Sequence, residues 1–219
     1  FDFWQKQINR DETVRLETIL REVETKVSRL RLSPQQKQNE SARALAAFTN
    51  FYNQRATIFE CKAASEVKIG KILLDGEVLI SGGIDRIEID ENAKTIEIVD
   101  FKTGNITEKE NFKNKPKLHK YQMQLYFYKI LLENSPEFKN YKVKTGRLEF
   151  IEGDEKYRTP IVKSIEFNSE TQQRIKDLLF ALDNKIKNFT IDSIQPSKTG
   201  QGVSVADLIA FEDEVLGEQ

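Results

Sequence analysis

The segment GGIDRIEIDENAKTIEIVDFKTG, residues 82–104, constrains the fold more than any other stretch of the chain. Apolar and polar residues alternate in it, which is the period of a half-buried strand. The pattern predicts a hairpin turning over Glu91 to Lys94. In that register Ile89 faces Ile96, Ile87 faces Ile98, and Asp85 faces Asp100. The four isoleucines share one face, and Arg86, Glu88, Asp90, Thr95 and Glu97 share the other. Asp85, Asp100 and Lys102 continue the apolar face.

That continuation is costly. Asp and Lys are rarely buried unless paired, and two carboxylates directly opposite each other repel. A cation between them removes the conflict. With oxygen donors only, a hard divalent ion such as Mg²⁺ or Mn²⁺ fits best. The main-chain carbonyl of Phe101 is a further candidate ligand. Lys102 would place a fixed positive charge beside the metal, suited to charge that develops on a phosphate. A plain Asp–Lys pair at a sheet edge is the ordinary alternative. Both acids, the lysine and the flanking glycines crowd one end of a single stripe, and this favours the metal.

The rest of the chain supplies layers for this hairpin. Helices are expected over 11–31, with Asp11 as N-cap, and from Ser33, where Ser33-Pro34-Gln35-Gln36 reads as a capping box with proline in the first turn. Strands are expected over 57–69, 71–75, 77–90 and 94–102, with turns at Gly70, Asp75-Gly76 and Glu91-Asn92. A helix over 117–134, strands over 144–151 and 156–167 joined at Gly153-Asp154, and a helix over 168–188 complete an α/β domain with a mixed central sheet. Residues 191–204 read as a linker and 204–216 as a short helix. The expected division is a helical segment over 1–34, a core domain over 35–190, and a tail over 191–219.

Composition excludes several alternatives. No apolar run approaches the ~18 residues that span a bilayer, and the start lacks the pattern of a secretory leader. The expectation is a cytoplasmic protein. A chain that begins with Phe is expected to be part of a longer polypeptide. The single cysteine, Cys61, forms no internal disulfide and cannot hold a cysteine-bound zinc or an iron–sulfur cluster within this chain. Net charge is −1, so any nucleic-acid contact must come from a local patch. Lys109, Lys113, Lys115, Lys117 and Lys120 form such a patch, opposed only by Glu108 and Glu110. Tyr121, Phe112 and Phe127 offer stacking surfaces for bases. Pro196-Ser197-Lys198-Thr199-Gly200 lacks the leading glycine and buried strand of a phosphate loop, so no motor is expected here.

Three elements together resemble a known family: Gly82-Gly83-Ile84-Asp85-Arg86, Val99-Asp100-Phe101-Lys102-Thr103-Gly104, and Gln122-Met123-Gln124-Leu125-Tyr126. They look like the successive motifs of RecB-type PD-(D/E)XK nucleases, closest to the nuclease modules of UvrD/Rep-like helicases, over roughly residues 40–190. The resemblance implies a restriction-endonuclease-like core that cleaves DNA, as an exonuclease on single strands or ends, beside or fused to a helicase motor in repair or recombination. It implies that Asp85 and Asp100 bind the metal and that Lys102 is catalytic. It also implies that Gln122 and Tyr126 border the active site and touch the DNA, with Lys113, Lys115, Lys117 and Lys120 guiding the backbone. The alternative is a catalytically inactive module that binds DNA or organises a helicase assembly.

The chain departs from the family in one respect. Many RecB-type nucleases carry a histidine ligand on the helix before the sheet, and ESARALAAFTNFYNQ has none. Glu66 is the candidate that completes the metal site, and Glu60 is a weaker one. His119, the only histidine, is expected on the surface near the lysines.

Overall fold

The computed structural model describes residues 1–10, 12–59, 63–153, 159–190 and 202–217. Asp11, Glu60, Cys61, Asp154, the start of the expected 156–167 strand and residues 191–201 of the expected 191–204 linker lie outside the described residues.

Five strands form one mixed sheet in the order β1 (Ala63–Leu74), β2 (Val78–Asp90), β3 (Thr95–Lys102), β4 (Lys142–Phe150) and β5 (Ile161–Glu166). Only β3 and β4 run parallel; the other neighbours are antiparallel. A parallel neighbour requires a crossover, and helix α4 (Pro116–Asn134) supplies it. The strands expected over 57–69 and 71–75 are one strand. Its pairing shifts between Ile69 and Ile72, so Gly70 sits at an irregularity within β1 and not in a turn. Residues 56–59 form a short 3₁₀ turn ahead of it.

Helices cover both faces of the sheet. α4 lies against β1 to β4, with α5 (Ser169–Lys187) and α6 (Val205–Leu216) beyond it. Gly82 lets β2 approach α4: a Cβ there would stand 2.7 Å from Leu131 Cδ1. Ile80, Ile87, Ile96, Ile98, Leu148 and Phe150 meet Leu118, Leu125 and Leu131 in the main core. The opposite face carries α1 (Asp2–Ile8), α2 (Leu16–Ser28) and α3 (Pro34–Arg55). Here Trp4, Val14, Ile19, Phe51 and Ile151 make a second cluster that reaches Phe101.

α3 begins as its sequence predicts. Ser33 accepts from Gln36 N–H at 3.3 Å, and Gln36 Oε1 accepts from Ser33 N–H at 3.0 Å. α2 does not reach back to residue 11. It starts at Leu16 behind Arg15, which provides no side-chain cap. α1 was not expected; seven residues are too few to show a helical period clearly.

The polar face of the hairpin is not a solvent face. Arg86 is 1 % exposed and pairs with Glu88 at 2.7 Å. Arg147 of β4 bridges Glu88 at 2.6 Å, Glu97 at 2.7 Å and Glu149 at 3.0 Å. Arg55 of α3 reaches Glu149 at 2.6 Å. The charges alternate across the strands, so each buried ion has an opposite partner.

Candidate active site

The isoleucine register is the expected one: Ile89 opposes Ile96 and Ile87 opposes Ile98. The ladder then stops at the Arg86–Val99 pair, so Asp85 and Asp100 are not joined as ladder partners. Asp85 Oδ2 instead accepts the main-chain N–H of Phe101 at 2.9 Å. A charged side chain has replaced a main-chain acceptor where β2 and β3 part.

Asp100 and Lys102 continue the face of Ile98 and pair along β4 with Leu148 and Phe150, both fully buried. Asp100 is thereby 2 % exposed. Lys102 Nζ lies 2.5 Å from Asp100 Oδ2, a close and buried ion pair. Burial pushes the Asp100 carboxyl above the usual aspartate range; Lys102 opposes this and the neighbouring Asp85 adds to it.

α4 holds these groups from above. Lys102 donates to Gln124 Oε1 at 2.8 Å, and Gln124 Nε2 donates to Tyr128 Oη at 2.7 Å. Burial, then the charges of Asp100 and Asp85, push the Tyr128 phenol well above its usual range. Tyr128 stays protonated and acts on Asp100 as a donor.

The structure does not bring Tyr126 to the acids, and Gln122, one turn earlier on α4, shares its helix face. Tyr126 is 0 % exposed, and its hydroxyl accepts from Asn168 N–H at 3.2 Å and Asn168 Nδ2 at 3.0 Å. Its ring packs edge-on against Phe167. A residue so enclosed cannot touch a DNA strand. Gln124 and Tyr128 have the same spacing of four and lie about 200° further round the helix, on the side of the acids. The sequence reading missed them because it took only the first such pair.

The remaining candidates divide. Glu66 is exposed with φ +51°, between Ser65, paired with Arg86, and Val67, paired with Ile84. It is level with Asp85. Among the described residues, however, no three His, Cys, Asp or Glu side chains converge to hold a metal. His119 is not a surface residue among lysines: its Nε2 lies 2.8 Å from Glu212 Oε1 and ties α4 to α6. Lys113, Lys115, Lys117 and Lys120 are all exposed. Lys115 is paired with Glu110, and Lys120 lines the cleft between α4, α5 and α6. Lys117 Nζ lies 5.8 Å from the centroid of Tyr121, the ring that also meets Lys102.

The sequence matches the family model of the PD-(D/E)XK nuclease superfamily over residues 2–198. The chain belongs to this superfamily. It is therefore a member of a nuclease superfamily whose domains bind DNA and typically use divalent metals. No curated protein matches the chain. The match extends across the N-terminal helices as well as the sheet. Among the described residues, no helix of this nuclease fold is long and apolar enough to cross a membrane.

The donor set suits a hard cation in one specific respect. Asp100 Oδ2 is buried and faces the Lys102 ammonium at 2.5 Å, while Asp85 adds a second negative charge beside it, so two carboxylates share one lysine and a further cation would balance the charge. Mg²⁺ commonly binds through one or two carboxylates, with water and substrate phosphate filling the remaining positions. Two aspartates are enough for that mode.

Proposed function

We propose that Asp85, Asp100 and Lys102 form the phosphodiester-cleaving centre of a deoxyribonuclease that uses Mg²⁺ or Mn²⁺. The observation that supports it most is the buried Asp100 carboxylate, held against the Lys102 ammonium at 2.5 Å with Asp85 beside it. Asp85, Asp100 and the Phe101 carbonyl would hold the cation. When bound, it supplies Lewis-acid stabilisation of phosphate charge and makes water acidic enough to attack near neutral pH. Asp85 is pre-set by the Phe101 N–H, so it loses little freedom on binding. Lys102, steered by Gln124, presents its ammonium to a phosphate oxygen on which charge develops. Lys117 neutralises a backbone phosphate near the acids.

The finer reading is an exonuclease acting on single strands or ends, associated with a helicase motor in DNA repair. It rests on the resemblance of the three motifs to RecB-type modules.

The test is to incubate the protein with labelled linear and circular DNA, single- and double-stranded, in Mg²⁺, Mn²⁺ or EDTA. Asp100→Ala and Lys102→Ala run alongside. Metal-dependent cleavage lost in both variants is expected. Cleavage that persists in both would remove the site assignment, and binding without cleavage would favour the inactive module. Linear substrate consumed while circles survive is the expected exonuclease pattern.

A further inference from the structure

Tyr121 meets the site in a way that the assigned roles do not use. Its ring centroid lies 4.3 Å from Lys102 Nζ. The same ammonium donates to Gln124 at 2.8 Å and stands 2.5 Å from Asp100 Oδ2. An ammonium on a long flexible stem has three donors and many rotamers. Gln124 and Asp100 take up two of those donors, and the stem between them and the strand is still flexible. The ring supplies a further restraint, because its negative face attracts a cation without claiming a proton.

The ring is itself held. Tyr121 is half-buried in the main core, with its centroid 6.2 Å from that of Phe150. Burial and the charge of Asp100 hold its phenol above the usual range, so it stays neutral. Lys117, one turn earlier on α4, brings a second ammonium within 5.8 Å of the same ring. A ring engaged by lysines is poorly placed to stack on a base, which was its expected use.

We propose that Tyr121 is a positioning residue of this centre: its ring face holds the Lys102 ammonium beside Asp100 by a cation–π contact. The proposal rests on reading Lys102 as part of the cleaving centre.

The test replaces Tyr121 in the full chain with Phe and with mono-, di- and trifluorinated phenylalanines. These rings keep nearly the same shape while the negative face weakens stepwise. The expected result is a kcat that is nearly retained in Tyr121→Phe and falls stepwise with fluorination, by about tenfold across the series, with KM unchanged. Tyr121→Leu should fall by a similar amount. A flat fluorination series would overturn the proposal, because a packing role tolerates fluorine. A second readout needs no cleavage. In EDTA-treated protein the Lys102 εCH₂ protons, identified with Lys102→Ala, should be shifted upfield by the ring and lose that shift in Tyr121→Leu. An unshifted signal in the unaltered protein would also overturn it. Asp100→Ala cleaving normally would instead strike the proposed function, leaving the ring contact to be judged by the spectrum.

Discussion

Asp85 Oδ2 accepts the Phe101 main-chain N–H at 2.9 Å, at the step where the β2–β3 ladder ends. The bond does two things at once. It satisfies a strand donor that would otherwise lose its partner, and it locks a carboxylate beside Asp100 before any cation arrives.

Asp85→Asn and Asp85→Ala should therefore separate the two roles. The amide oxygen of Asn can still accept from Phe101, so Asp85→Asn keeps nearly full stability and loses cleavage. Asp85→Ala loses cleavage as well, and the orphaned N–H costs about 1–3 kcal/mol. Chemical denaturation in EDTA measures the difference between the two.

Gln124, not Gln122, should matter for rate. Removing the acceptor of Lys102 in Gln124→Ala is expected to lower kcat by about 10- to 100-fold, the range for hydrogen bonds to charged groups. Gln122→Ala should change kcat by less than about twofold, within the usual range for a side chain outside such networks. Single-turnover cleavage of one oligonucleotide by both variants decides the matter.

The Asp100 carboxyl is raised above its ordinary value, chiefly by burial. A raised acid stabilises the fold while protonated and withdraws that contribution as pH rises from the ordinary aspartate value through the folded one. In EDTA, Asp100→Asn should therefore match the unaltered protein at the lowest pH and become the more stable of the two as pH rises. Melting temperatures from pH 3 to pH 8 record this. A gap that shrinks with rising pH would contradict it.

Lys117 is the lysine of its stretch set beside the Tyr121 ring, which also meets Lys102. Lys117→Ala should weaken single-strand binding in EDTA and reduce the magnitude of the salt slope by about 1, the loss of one phosphate contact. Lys115→Ala should do less, since Lys115 is already paired with Glu110. Fluorescence anisotropy across a salt series reads both.

Much of this architecture follows from local pattern alone. Strict alternation in residues 84–90 and 95–102 placed the isoleucines and their register, because a one-residue slip would turn every apolar side chain to the wrong face. The capping box at Ser33 placed the start of α3, because its hydrogen bonds lie within one turn. Other features required the assembled fold. α4 is enclosed on nearly every side, with Leu118, Leu125, Tyr126, Tyr128 and Leu131 all buried, so its apolar period could not say which face meets Lys102. Two Gln–Tyr pairs with equal spacing were legible there, and the approach of β3 selected Gln124 and Tyr128. The burial of Arg86 left no local trace, because a salt-bridged charge looks like a solvated residue in one dimension. The sequence by itself determined the stripe of acids and lysine at the end of the hairpin. Tertiary packing decided which neighbours enclose it, since burial and charge pairing depend on segments far apart in the chain.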